Sequence, residues 1–268
     1  MATIIKNCPI CNKSNFNKFY TKKWNSSSFV KCKKCSLIFQ NPQETIEETT
    51  NRYNHNYFNY EVENQYNFFN LVKKTLNDFN ILNILPKNAK ILEIGSATGL
   101  FLKYMNENGF DSVGVELCKE SCEYGRKNFG VNLLNCRLED AYFNQNYFDF
   151  IHFSHLIEHL NNPTDFIKFI YKLTKPNGFV MITTPNSSGL FSKYYEENWR
   201  CIVDDHLFLF NKKNLKKLFT DNNFEIIGIK TWGSIPAGKS KLLKKIFDWF
   251  VKKVGVGDVV CFLLKRIS

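Results

Sequence analysis

Nothing in the sequence approaches the run of about 18 uninterrupted apolar residues that a helix needs to cross a bilayer, so no membrane-spanning helix is expected. The opening residues, MATIIKNCPICNK, hold no apolar core of signal-peptide length before the first cysteines, and the expectation is a cytoplasmic protein. Disulfide-framework spacing is absent: of nine cysteines, Cys118, Cys122, Cys136, Cys201 and Cys261 are scattered singly. No internal repeat is visible, and no low-complexity segment beyond a richness in Asn. Acidic residues are in deficit, 25 against 36 Lys and Arg, for a formal charge of +11. That surplus permits nucleic acid, an anionic membrane surface or a phosphorylated substrate as partner. Because the lysines are spread along the chain, it equally fits a solvated basic surface.

What is present is the composition of a globular chain, with 44% hydrophobic and 23% charged residues over 268 positions, enough for one large domain and a small appendage. The aromatic share, 16%, accompanies abundant Asn, Lys and Ile and carries no functional reading. Three parts are expected: residues 1–42, a connector over 43–85, and an α/β domain over 86–268. In the connector the stretch FFNLVKKTLNDFNILNIL has apolar residues at roughly helical spacing, closed by Pro86, and a Tyr-rich segment, Tyr53–Tyr66, precedes it. From Lys90 onward, short β-type runs (KILEIG, SVGVEL, FDFIHFS, GFVMITTP, FEIIGIK) alternate with helical segments. That alternation implies βαβ units and a doubly wound, mostly parallel sheet. The tail, 239–268, reads as a basic amphipathic helix followed by the strand-like run DVVCFLLK.

Cys8-x-x-Cys11 and Cys32-x-x-Cys35 are two knuckles about twenty residues apart. Each places two thiolates on one tight turn, and two such turns give the tetrahedral all-sulfur site that zinc prefers. Lys31, Lys33 and Lys34 favour the thiolate form. With four sulfurs no coordination position is left for substrate, so a structural zinc in a small ribbon is expected; a redox pair or four free thiols are the alternatives.

Lys90-Ile-Leu-Glu93-Ile-Gly95-Ser96-Ala97-Thr98-Gly99 runs from an apolar strand into a helix beginning at Leu100. A glycine turn there lets backbone approach a ligand closely. Glu93 stands where a pyrophosphate-binding turn would want no negative charge, whereas a ligand carrying an ammonium and a sulfonium would suit it. About twenty residues on, the second strand ends in Glu116, where a carboxylate can take both hydroxyls of a ribose.

With these pieces in order, the region from about 86 to 230 resembles the class I S-adenosylmethionine-dependent methyltransferases. ILEIGSATG is similar to their first motif, VGVEL to the second, FDFIHFSHLIEHLNNP to the fourth-strand motif and LTKPNGFVMITTPN to the late helix-to-strand motif. The resemblance implies a seven-stranded sheet and S-adenosylmethionine as cofactor. It places Gly95, Ala97 and Gly99 along its methionine and ribose, Glu93 near the amino group, Glu116 on the ribose, Leu138 and Glu139 at the adenine, and Phe153 and Ser154 beside the sulfonium. Two positions depart from the family pattern: Ala97 where many members have Gly, and Arg137 where many have an acid reaching the adenine amino group.

The fourth strand ends in His155-Leu-Ile-Glu158-His159, at i, i+3 and i+4, a spacing that shares one helical face. Three readings stand side by side. His159 or His155 is a general base oriented by Glu158; or His155, Glu158 and His159, joined by His206, hold a divalent metal; or Glu158 and His159 cap the turn. Certain ubiquinone-pathway and small-RNA methyltransferases that this chain resembles use Glu-x-x-Glu-His as a metal site, and here the first position is His. Trp199, Asp204, Asp205 and His206 lie in a loop-like stretch, ENWRCIVDDHLFLF, either part of an acceptor pocket or an ornament with Trp199 in the core. The Tyr-rich segment is placed over the cofactor.

The combination of a four-cysteine module with this core resembles methyltransferases acting on sugars or glycan precursors, so the expected acceptor is a small molecule or glycan. An RNA methyltransferase using the module and the basic surface, and a non-catalytic cofactor-binding scaffold, are the alternatives. Acceptor atom and oligomeric state do not follow from the sequence.

Overall fold

The computed structural model describes residues 3–21, 28–233 and 241–267; positions 22–27 of the expected module and 239–240 of the expected tail helix lie outside the described residues. In chain order the strands are β1 Phe16–Thr21, β2 Ser28–Cys32, β3 Ile38–Gln40, β4 Lys90–Ile94, β5 Asp111–Glu116, β6 Asn132–Asn135, β7 Phe148–Ser154, β8 Thr174–Pro185, β9 Phe208–Leu209, β10 Phe224–Trp232 and β11 Val259–Arg266. The helices are α1 Ile46–Thr50, α2 His55–Asp78, α3 Ile81–Ile84, α4 Leu100–Glu107, α5 Lys119–Phe129, α6 Pro163–Leu173, α7 Leu190–Tyr195, α8 Lys212–Thr220 and α9 Lys241–Val254.

The main sheet has seven strands in the order β10-β11-β8-β7-β4-β5-β6. β11 runs antiparallel to both its neighbours, and the strands from β8 to β6 are parallel. The chain winds outward from β4 through β5 to β6, then crosses back to β7, so strand order reverses between β4 and β7, where a crevice opens at the carboxyl ends. The strands alternate as a two-faced buried sheet requires. Leu92, Ile94, Ile151, Phe153, Val180, Ile182, Val260 and Phe262 face one core with α6 and α8. Ile91, Phe150, Met181, Cys261 and Leu263 face the other with α2, α4 and α5. β6 is a strand that sequence alternation does not announce, being four residues with exposed Asn at both ends.

The long helix α2 begins at His55 under an Asn54 cap, well before the apolar stretch that marks it in the sequence, and so takes in most of the Tyr-rich segment. It stops at Asp78 rather than running to Pro86, because Asn80 turns left-handed at φ 54° and starts the separate short helix α3.

The second sheet is antiparallel, in the order β1-β2-β3-β9. Its fourth strand, Phe208–Leu209, comes from the expected loop ENWRCIVDDHLFLF and pairs with Ile38 and Phe39. Cys8, Ile10, Cys32, Leu37 and Phe39 are buried in the same core as Ile151 and Phe262. The four-cysteine region therefore shares its hydrophobic interior with the main sheet.

Phe39 is fully buried, edge-on to Phe16 at 5.1 Å and 6.2 Å from Phe208. Phe39→Ala should cost about 3–5 kcal/mol. Urea unfolding followed by circular dichroism should show one transition moved to lower urea, not loss of a minor early one.

Candidate active site

The turn after β4 is shaped by backbone conformation. Gly95, Ala97 and Gly99 have φ of 69°, 45° and 80°. At Gly99 a Cβ would also lie 2.8 Å from Val131 Cγ2, so neither the angle nor the space admits a side chain. Ala97 takes the left-handed angle with its methyl group, and its N–H donates to Glu116 Oε2 at 2.9 Å. Glu116 Oε1 accepts from the Cys118 N–H at 2.8 Å.

Three carboxyl groups crowd this turn. Glu93 and Glu116 are almost wholly buried, and burial raises both above the usual carboxylate range; at Glu93 the Glu116 charge adds to the shift. Glu61, reaching down from α2, is pushed up to about 7 by burial and then by the charge of Glu116. Glu93 Oε1 lies 3.1 Å from His152 Nδ1, and its Oε2 has no hydrogen-bond partner among the described residues. Crowded carboxyls with an orphaned oxygen fit a ligand that brings positive charge. Tyr53, just ahead of α2, and Tyr57 in its first turn are half-buried near Glu116, which helps raise their phenols after burial itself. Gln65 Oε1 accepts from Thr98 Oγ1 at 3.1 Å, tying α2 to the turn. The Tyr-rich segment thus stands over the glycine turn.

Next to it β7 ends. His155 leaves the strand at φ 51° with its N–H on Thr183 O, and residues 157–159 form a single 3-10 turn. The HxxEH spacing therefore does not define one α-helical face. Glu158 is completely buried, its Oε2 accepting from Thr184 Oγ1 at 2.8 Å and its Oε1 3.2 Å from His155 Nδ1. Burial alone would raise this carboxyl. His155, His159 and His206 together outweigh it and hold the group at about 2, ionised at neutral pH.

His159 is oriented by backbone, not by Glu158: its Nδ1 donates to Asp205 O at 2.7 Å. His206 Nδ1 donates to Cys201 O at 2.8 Å, and the two rings meet edge to face at 4.8 Å. With Nδ1 donating, the neutral form of each ring carries its lone pair on Nε2. Burial keeps His206 below the ordinary histidine value, favouring the neutral ring. Ligand atoms of Glu158, His159 and His206 lie within 4.8 Å of one another. Two imidazoles anchored through their far nitrogens, with a buried carboxylate, form a donor set suited to a divalent cation. His155, half exposed, stands outside that trio.

The segment carrying Asp205 and His206 is held from the N-terminal region. Gln40 of β3 is fully buried and donates from Nε2 to Asp204 O at 2.8 Å and to His206 O at 3.1 Å. Arg52, paired with Glu44, also donates to Asp204 O. In the module, Cys8 and Cys35 Sγ are 3.5 Å apart, as are Cys11 and Cys32. Those spacings are close to the edge of a tetrahedron with bonds of about 2.3 Å to zinc.

Other sequence candidates lie elsewhere. Phe153 is fully buried and edge-on to Phe166 at 5.1 Å, in the core on the α6 side, so only its backbone faces the crevice; Ser154 ends the strand there. Leu138 is buried in the turn after β6, while Glu139 is exposed and pairs with Arg137 at 3.4 Å. Trp199 is a core residue whose Nε1 donates to the buried Asp258. Sequence reading did not find Gln40, Glu61 or His152. His152 was legible only as one polar residue inside an apolar strand; it stacks on Phe101 at 4.5 Å.

Comparison with known proteins agrees with this architecture. The family profile described as "Methyltransferase domain" matches residues 64–229, more than half of the chain, and the chain belongs to that family. An uncharacterized protein of Methanocaldococcus jannaschii is 29% identical over 133 residues, covering 50% of this chain and 56% of that one. Ubiquinone biosynthesis O-methyltransferase of Rickettsia typhi is 26% identical over 153 residues, covering 53% and 62%. The mitochondrial protein of that name from Dictyostelium discoideum is 26% identical over 163 residues, covering 52% and 51%. The chain thus spans only about half to three fifths of these relatives' own length. Among solved structures, an Archaeoglobus fulgidus S-adenosylmethionine-dependent methyltransferase superposes with a TM-score of 0.55 at 19% identity, covering 74% of this chain and 94% of that one. One from Mesorhizobium loti gives 0.54 at 12%, covering 70% and 97%. The chain carries a methyltransferase domain on the class I fold of the S-adenosylmethionine-dependent methyltransferases. Among the described residues no helix is long and apolar enough to cross a membrane.

Gln40→Ala frees the carbonyls of Asp204 and His206 and should lower methyl-transfer turnover about tenfold or more, given how steeply catalysis falls with misplacement. S-adenosylmethionine affinity measured by calorimetry should stay within about twofold, because the glycine turn is not touched.

Proposed function

We propose that this enzyme transfers the methyl group of S-adenosylmethionine to a hydroxyl of a small polar acceptor, a sugar or glycan precursor, at the mouth formed by residues 155–159 and 204–206. The observation that carries this reading is the pair of Nδ1-tethered histidines, His159 and His206, converging with ionised Glu158. Methylating a hydroxyl requires removal of its proton as the new bond forms. The mouth is polar, with His155, Asn161, Asp205 and the Arg52–Glu44 pair around it, which suits a polyhydroxylated acceptor. The O-methyltransferase relatives support oxygen as the acceptor atom.

On the cofactor side, Gly95, Ala97 and Gly99 bring backbone against the methionine and ribose. Glu93 receives the ammonium through its unpartnered oxygen, and Glu116 exchanges its backbone N–H partners for ribose hydroxyls. Leu138 packs at the adenine, Glu139 and Arg137 edge it as a pair, and Ser154 with the Phe153 backbone borders the sulfonium.

Two roles compete for His159. As a lone base it would take the acceptor proton on Nε2. The convergence of a second neutral imidazole and a carboxylate favours the other: Glu158, His159 and His206 hold a divalent cation, with His155 flanking it. A cation there would supply Lewis acidity that lowers the acceptor hydroxyl pKa. The residues' own part is to keep Nε2 unprotonated, hold the carboxylate ionised and orient the hydroxyl toward the methyl group. At the other end of β3 we infer a structural zinc on Cys8, Cys11, Cys32 and Cys35.

Tritium transfer from labelled cofactor into fractionated cell extract identifies the acceptor, and label entering RNA instead of small molecules or glycans overturns that assignment. His159→Ala should cut turnover by roughly 10²–10⁴-fold with cofactor affinity little changed. Metal analysis should find one zinc per chain that Cys32→Ser loses, and a second divalent ion that His206→Ala loses. A chelator too weak to strip a four-cysteine zinc should abolish turnover reversibly; full activity under it returns His159 to the role of base.

The Glu61 carboxyl at about 7 adds a pH signature. A cationic ligand favours its ionised form, so cofactor affinity should rise with pH through about 7 and level off above, with proton uptake by buffer on binding near neutrality. Calorimetry in buffers of different ionisation enthalpy reads this directly, and Glu61→Gln should remove it.

A further inference from the structure

Among its described side chains, helix α9 exposes most of its apolar residues. Its sequence, KLLKKIFDWFVKKV, places Ile246, Trp249, Phe250 and Val254 at spacings of three and four on one face. All four are exposed, Trp249 by 62% and Val254 by 55%, while Val251 is the one buried side chain of this helix among the described residues. The face continues into α7. Phe247 meets Phe191 at 6.3 Å, Phe191 stacks with Tyr195 at 6.3 Å, and Leu190 and Tyr194 are exposed beside them. A contiguous exposed apolar patch of this kind marks an interaction surface.

Its surroundings are basic. Lys253 Nζ sits 4.9 Å over the Trp249 ring, and Lys245 is exposed. Beyond the helix end Lys212 donates to Gly255 O, and after its own burial the charges of Lys216 and Lys193 lower its pKa. Five lysines and one acid, Asp248, make up the charged residues of the helix itself. A helix with Trp and Phe on one arc and Lys around it has the character of an element that lies in a bilayer interface, rings at headgroup depth and ammonium groups on anionic lipid.

We propose that α9 and α7 dock this enzyme onto an anionic membrane surface, through Ile246, Trp249, Phe250, Val254 and Tyr194, with Lys193, Lys245 and Lys253 on the headgroups. A second copy of the chain fits less well: a two-fold interface on this patch would set the same lysines against one another. RNA would leave Ile246, Phe250 and Val254 without a partner. Position gives docking a consequence. α7 follows β8 and leads into residues 199–206, and β11, fed by α9, starts opposite Pro185 at the carboxyl end of β8. The patch therefore lies at the end of the sheet where the acceptor enters.

The test is co-sedimentation of the full chain with phosphatidylcholine vesicles, with and without phosphatidylglycerol. Binding should be at least about tenfold stronger with the anionic lipid and fall with salt. The double variant Ile246→Glu, Trp249→Glu should lose about tenfold or more of it, while its circular dichroism and its methyl transfer to soluble acceptor match the parent, which separates failure here from failure of the catalytic reading. Absence of binding to anionic vesicles, or equal binding by the double variant, overturns the proposal. So does a dimer in sedimentation velocity that the double variant dissolves, or RNA binding that it abolishes.

Discussion

Two side-chain hydrogen bonds from Gln40 join the halves of this molecule where it matters for chemistry. The amide of a buried residue on a three-residue strand holds the carbonyls of Asp204 and His206, and the same strand pairs with Phe208–Leu209 directly downstream. Between those anchors lie Asp205, whose carbonyl orients His159, and His206 itself. The carboxyl end of the main sheet therefore depends on a segment that the sheet does not hold by its own pairing. The four cysteines lie on the turns that precede β1 and β3. The strand that follows the second of those turns thus fixes the backbone carbonyls of the 204–206 segment at a distance.

The cofactor end obeys a different constraint. Burying three carboxyls around one turn is costly without compensating charge. Glu116 offsets part of the cost with two backbone N–H donors; Glu93 has the Ser96 hydroxyl and His152, a ring that burial drives toward neutrality, down to about 3. The cavity is electrostatically unfinished. On the proposed assignment of this cavity, S-adenosylmethionine brings it an ammonium and a sulfonium while the product brings only the ammonium, a difference that favours release of product after transfer.

Much of this was legible in the sequence, for physical reasons that differ by element. The buried strands alternate between two apolar faces and so announce themselves; the glycine turn carries a left-handed angle at Gly99 that only glycine takes freely. The CxxC knuckles are local geometry. What could not be read depends on long-range placement. β6 is short with exposed Asn at its ends, and β9 is two residues whose only mark is their partner β3. Gln40 reaches its carbonyls across more than 160 positions. The HxxEH spacing suggested a helix face because it ignored the left-handed His155, which turns Glu158 inward and leaves His159 to be oriented by Asp205. Strand alternation aims the Phe153 side chain at α6 and leaves only its backbone toward the crevice, a parity argument available from Leu92 and Ile94 on the neighbouring strand.

The two histidines show how the site resolves a chemical conflict. A buried carboxylate beside two imidazoles would ordinarily protonate them, giving cations that neither bind metal nor accept a proton. Here each Nδ1–H is tied to a backbone carbonyl, which fixes the orientation of the ring, and burial holds His206 below the ordinary histidine value although the Cys201 carbonyl pulls the other way. Thr184 donates to one Glu158 oxygen and His155 lies 3.2 Å from the other, and the surrounding histidines outweigh burial in holding this carboxyl low. The charges on the two sides of the turn after β7 are not separate: Glu116 raises the Glu61 carboxyl from one side and His155 lowers it from the other.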